Sequence, residues 1–168
     1  MDISLITEQK NLAGLIIKKA REKNKRLAIA ESCTGGMISS ILTSIPGASD
    51  VFDQGLVTYS NKSKIIMLGV KESSIKNFGA VSKEVAIEMV EGLLLDTDLN
   101  IALSISGVAG PGSLSYNKPA GLVWIAYGNQ KKTIKTLKLN LGNIGRDLVR
   151  QKSCIEALNL LLKSLDNY

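Results

Sequence analysis

Histidine is absent from the 168-residue chain. That absence excludes every Ser-His or Cys-His triad and every zinc site built on imidazole. Acid–base chemistry, if there is any, falls to Lys, Tyr, Asp, Glu, Cys or the substrate itself. Cysteine is scarce as well: Cys33 and Cys154 are the only two, have no metal-ligand spacing, and are expected to be reduced thiols. Aromatic residues are few, one Trp, four Tyr and two Phe, and no RNA- or DNA-binding motif accompanies them. No apolar run approaches the roughly 18 residues of a membrane-spanning helix. The first residues, Met-Asp-Ile-Ser-Leu-Ile-Thr-Glu, lack the basic start of a signal peptide. A cytoplasmic protein with no membrane partner is the expectation.

What is present is ordinary for a globular domain: 45% apolar and 21% charged residues, with no repeat or linker. A single domain over 1–168 is expected, long enough to bury a substantial core. The net charge of +6 raises the question of nucleic acid. However, Lys18, Lys19, Arg21, Lys23, Lys25 and Arg26 gather at the end of the first predicted helix, where cations complement the helix dipole. A phosphorylated small molecule accounts for the remaining positive charge, and a small-molecule substrate with no nucleic-acid partner is the expectation.

Hydrophobic periodicity predicts helices over 7–24, 35–44, 61–68, 82–95 and 145–165, and strands over 27–31, 55–59, 101–106, 121–127 and 132–139. The last two strands, joined at Gly128-Asn129-Gln130, read as an antiparallel hairpin. Strands alternating with helices, plus one hairpin, predict a three-layer α/β/α sandwich with a mixed, mostly parallel sheet of about five strands.

Three loops follow predicted strands, at 31–36, 59–64 and 106–119. Parallel strands would gather them at one sheet edge, where open α/β sheets bind ligands. In the first, a buried strand delivers Glu31, Ser32, Cys33 and Thr34, followed by Gly35 and Gly36, to the mouth of a helix whose free N–H groups suit a nucleophile or an anion. Ser32 there is a helix cap or a nucleophile; the second role needs a base, and lysine leads once histidine is excluded. Lys64 and Lys62 are on offer, and either serves only if desolvation brings its pKa from about 10.4 to about 7–8. Cys33 is the rival nucleophile, or else a small buried filler. Ser106-Gly107-Val-Ala-Gly110-Pro-Gly112 lacks the dinucleotide fingerprint and the Walker lysine. Its N–H groups and Ser106 suit a phosphate or ribose; the plainer reading is a tight strand exit. Arg146 and Arg150, four apart on the last helix, offer a bidentate grip on an anion or are surface charges. No carboxylate or Cys/His set argues for a metal.

Taken together and in order, Ala30-Glu-Ser-Cys-Thr-Gly-Gly36, Gly55-Leu-Val-Thr-Tyr59-Ser-Asn61 with Lys64, Gly79-Ala-Val-Ser82 and Ser104-Ile-Ser-Gly-Val-Ala-Gly-Pro111 resemble the CinA C-terminal family. Lys118-Pro119, Gly121, Trp124, Arg146 and Arg150 continue the match, which runs from about residue 7 to 163. Stand-alone members of that family are nicotinamide-nucleotide amidohydrolases. The resemblance implies an α/β/α fold, homo-oligomeric assembly, and hydrolysis of the carboxamide of nicotinamide mononucleotide to nicotinic acid mononucleotide and ammonia, with no cofactor and no metal. It assigns a serine–lysine pair to Ser32 and Lys64, assisted by Tyr59, and substrate contacts to Ser49, Ser106 and Arg146. With it, Thr34, Gly35 and Gly36 become the expected oxyanion hole, and Gly107, Gly110 and Arg150 join the expected phosphate contacts. The sequence departs from the family after Gly110-Pro111, where Gly112-Ser-Leu-Ser115 stands in place of a glycine-rich stretch. That departure keeps a second reading open, a nucleotide-binding regulatory module with weak or no turnover.

Overall fold

The computed structural model describes residues 3–96, 98–130 and 133–166. Five strands form one sheet in the order β2-β1-β3-β4-β5: β1 (Leu27–Glu31), β2 (Phe52–Val57), β3 (Ile101–Gly107), β4 (Leu122–Asn129) and β5 (Lys135–Asn140). β1 pairs in parallel with β2 and β3, while β4 and β5 add on as antiparallel strands, giving the expected mixed sheet.

Side-chain alternation along the strands sorts the helices into two layers. Leu27, Ile29, Leu103, Ile105, Val123 and Ile125 point to one face and pack against α1 (Ile3–Glu22), α2 (Met37–Thr43) and α6 (Arg146–Asp166). Ala28, Ala30, Ala102 and Ala126 point to the other, where small side chains admit α3 (Asn61–Leu68) and α5 (Lys83–Leu93). Val85, Met89, Val90 and Leu93 of α5 are buried there, each worth roughly 1.5–3 kcal/mol of transfer free energy. Ser82 caps α5 as its position suggests, its hydroxyl accepting from the Val85 N–H. Among the described residues no helix is long and apolar enough to cross a membrane.

Some boundaries differ from the sequence expectation. β2 starts at Phe52 rather than at 55, because Leu27 pairs with Phe52, and it ends at Val57, leaving Thr58 and Tyr59 beyond it. α4 (Glu72–Phe78) was not expected; Ile75 and Phe78 are its only apolar residues, so it carries no periodic stripe. Gly128 and Asn129, expected in the hairpin turn, belong to β4, and β5 begins at Lys135; Lys132, the expected start of that strand, lies outside the described residues. α2 begins at Met37 because Gly35 and Gly36 both have positive φ, at 62° and 90°.

Candidate active site

The same alternation that sorts the helices separates neighbours at the end of β1. Glu31 continues the Leu27–Ile29 face toward α2, and Ser32 continues the Ala28–Ala30 face toward α3. Pairing extends one residue past the strand, since the Ser32 N–H donates to the Ile105 carbonyl at 3.0 Å. On the opposing side, Ser60 caps α3 in a capping box with Ser63, which places Lys64 one turn into the helix facing the sheet. The result is a buried pair: Lys64 Nζ lies 3.0 Å from Ser32 Oγ and donates to the Thr58 carbonyl at 2.7 Å. Lys64 is 1% exposed and Ser32 8%.

Burial disfavours the ammonium form, and the Lys64 pKa falls from 10.5 to about 8; a Cys33 thiolate would oppose the shift. Cys33 is no thiolate, because its own burial pushes the thiol up to about 12. Packed into the α1/α2/α6 core, it takes the small-filler place of the two that the sequence left open.

The turn that follows has a definite hydrogen-bond account. The Gly35 N–H donates to the Ser32 carbonyl at 3.1 Å. The N–H groups of Gly36 and Ile38 donate to Glu31 Oε2, both at 3.1 Å, and the Ser39 N–H (2.8 Å) and hydroxyl (2.7 Å) donate to Glu31 Oε1. The mouth of α2 is therefore filled by the protein's own carboxylate. This corrects the expected oxyanion hole: Gly35 and Gly36 have spent their N–H groups. Of the three residues only buried Thr34 keeps a main-chain N–H with no acceptor on another described residue, and Cys33 beside it does likewise.

α6 ties the surrounding loops together. Arg146 donates through Nη1 to the Gly110 carbonyl (3.1 Å) and through Nη2 to the Tyr59 hydroxyl (3.0 Å), and Arg150 Nη2 donates to the Thr34 carbonyl (2.8 Å). The loops after β1, β2 and β3 thus meet at one sheet edge. Tyr59, 59% exposed, hydrogen-bonds to Arg146 and not to Ser32 or Lys64, so it stands at the rim rather than inside the pair. Gly110, at φ 92°, turns its carbonyl to Arg146.

Three expected substrate contacts are placed otherwise. Ser106 is 1% exposed and its hydroxyl donates to the Ala80 carbonyl at 2.7 Å, holding the turn before α5. Gly107 sits at the end of β3, where an added Cβ would lie 2.6 Å from Val123 Cγ2; it serves strand packing. Ser49 lies in the 3-10 turn Ala48–Asp50 ahead of β2. Parallel pairing of β2 with β1 puts that turn at the opposite end of the strands from Ser32, on the order of 15 Å away at strand rise. The sequence reading put Glu31 at the helix mouth without assigning it the α2 N–H groups, and it missed the Thr58 carbonyl. Glu31 had a signal in its opposite parity to Ser32 and in a glycine N-cap with no side-chain oxygen; the Thr58 carbonyl had none. Among the described residues, no three of His, Cys, Asp and Glu converge as metal ligands.

An α/β/α domain with a buried serine–lysine pair at its parallel sheet edge is the class that fold and site define. The family model described as CinA C-terminal domain matches residues 9–165, and the chain belongs to that family. It is 45% identical over 98% of its length to a putative competence-damage inducible protein of Clostridioides difficile, and 44% identical over 92% of its length to a CinA-like protein of Endomicrobium trichonymphae. It spans 39% and 36% of those two relatives' lengths. Among solved structures, the competence/damage inducible protein CihA of Agrobacterium tumefaciens superposes with a TM-score of 0.90 at 38% identity, over 95% of this chain and 96% of that one. A CinA superfamily protein of Escherichia coli superposes with a TM-score of 0.88 at 29% identity, over 97% and 98%.

Proposed function

We propose that the chain hydrolyses the carboxamide of nicotinamide mononucleotide through an acyl-enzyme on Ser32, releasing ammonia and nicotinic acid mononucleotide. The observation that carries this reading is the 3.0 Å approach of Lys64 Nζ to Ser32 Oγ in a site where burial favours the neutral amine. CinA-family membership is compatible with it.

In the neutral state one Lys64 N–H stays on the Thr58 carbonyl, which aims the lone pair at the Ser32 hydroxyl. Lys64 accepts the Ser32 proton as Oγ bonds to the carboxamide carbon. The Cys33 and Thr34 N–H groups receive the oxyanion; one such donor is typically worth about 3 kcal/mol. Lys64 returns the proton to the departing nitrogen, the C–N bond breaks and ammonia leaves. Water, deprotonated by the same lysine, then attacks the ester carbon; the C–Oγ bond breaks, Lys64 returns the proton to Ser32 Oγ and the acid leaves. Arg146 and Arg150 serve the 5′-phosphate, with Tyr59 at the entrance. The reading extends to a homo-oligomeric cytoplasmic enzyme of pyridine nucleotide salvage.

Incubation with nicotinamide mononucleotide in metal-free buffer, with ammonia quantified for the wild type, Ser32→Ala and Lys64→Ala, is the test. Turnover by the wild type and its loss in both variants is expected. Saturable binding without ammonia from the wild type would instead select the regulatory-module reading.

A further inference from the structure

Resting on the reading of Ser32 and Lys64 as the reacting pair, we propose that Glu31, Ser39 and Gly55 form a positioning bracket that sets the 32–36 turn. Glu31 is fully buried and accepts four hydrogen bonds, all from α2 and the turn before it. Among the described residues it has no ion-pair partner. A carboxylate is rarely buried without a cation, because leaving water is costly for a charged group. Here the positive end of α2 and four donors offset that cost. Gly36, the N-cap of α2, has no side chain to supply the capping oxygen, so Glu31 supplies it from the strand below.

The consequence reaches the site through the backbone. Glu31 and Ser32 are adjacent, so anchoring the carboxylate under α2 fixes the peptide that aims Ser32 Oγ at Lys64. Engagement of the Gly35 and Gly36 N–H groups leaves those of Cys33 and Thr34 without an acceptor on another described residue. It also removes the α2 mouth as a competing seat for an anionic substrate. Ser39 completes the bracket only because β2 has no side chain at Gly55: an added Cβ there would lie 2.2 Å from Ser39 Oγ and 2.7 Å from Ser39 Cβ. Gly55 pairs with Ile29, on the sheet face that Glu31 shares. Gly55→Ala therefore displaces Ser39 from Glu31 without touching Ser32 or Lys64.

The test compares Glu31→Gln, Ser39→Ala and Gly55→Ala with the wild type, each confirmed folded by circular dichroism at the assay temperature. Expected are kcat losses of about tenfold or more for Glu31→Gln and several-fold for the other two, with KM for nicotinamide mononucleotide within about twofold. A purely structural role would lower the melting temperature and leave kcat of the folded protein alone. Ser39→Ala and Gly55→Ala carry the test if Glu31→Gln does not fold. Retention of kcat within twofold in the folded variants overturns the bracket. Should the wild type release no ammonia, the functional reading fails. The bracket is then judged by the rate at which a fluorophosphonate acylates Ser32: slower labelling in the variants supports it, while equal rates, or an unlabelled wild type, overturn it.

Discussion

Replacing Lys64 by methionine should abolish activity and make the fold less sensitive to alkaline pH, and the magnitude follows from burial. The lysine's pKa falls from 10.5 to about 8 in the folded chain. Between those values the unfolded chain holds a proton that the folded chain has released, so stability rises with pH across that window. Below about pH 8 both states are protonated and the folded state bears the full cost of the buried ammonium, about 3 kcal/mol from this shift at 1.36 kcal/mol per unit. Methionine fills a similar volume without charge but leaves the Thr58 carbonyl without its lysine donor, a loss of about 1–3 kcal/mol. At neutral pH the two effects offset to within a few kcal/mol. The pH dependence does not cancel: from about pH 7 to about pH 10 the wild type should gain roughly 2–3 kcal/mol relative to Lys64→Met. Urea unfolding at both pH values reads this directly. Partly exposed Lys118, whose pKa also falls chiefly through desolvation, is present in both proteins and drops out of the comparison. Parallel stability curves for the two proteins would refute the claim that Lys64 is destabilised as an ammonium.

Activity should rise with pH through an apparent pKa near that of Lys64, about 8, because the neutral amine is the base. Initial rates of ammonia release at subsaturating substrate should thus grow about tenfold from pH 7 to pH 9. A flat profile would remove the lysine from proton transfer. Arg146→Gln should raise KM for nicotinamide mononucleotide by tenfold or more while changing KM for nicotinamide riboside little, since the riboside lacks the phosphate. Cys33, a buried thiol with its pKa near 12, should resist iodoacetamide in the native protein and react only on unfolding, with mass spectrometry as the readout.

Local patterning carried the layers of the fold and the heart of the site. The apolar run Leu27–Glu31 and the periodic stretch after Ser82 are short-range signals, and each produced the element it indicated, whereas Gly35 and Gly36 delay α2 beyond its expected start at 35. The missing histidine led to lysine as the base, and the structure sets Lys64 against Ser32. What escaped depends on distant partners. β2 begins with Phe52-Asp53-Gln54, whose half-wet edge pattern says little until Leu27 pairs beside it. Tyr59 lies near Lys64 in sequence, yet its hydroxyl is taken by Arg146, 87 residues away. The expected Gly35 and Gly36 donors were lost to Ser32 and Glu31, a competition visible only when every N–H is assigned a partner. Ser49 was matched by residue type, and type carries no information about which end of a strand it occupies.

The proposed reaction stands on a covalent intermediate at Ser32. Acid quenching of the protein during turnover of nicotinamide mononucleotide, followed by peptide mass spectrometry, should find the nicotinic acid mononucleotide acyl ester on the peptide bearing Ser32 and no adduct in Ser32→Ala. Ammonia release that continues undiminished in Ser32→Ala, with no adduct on the wild-type peptide, would contradict it.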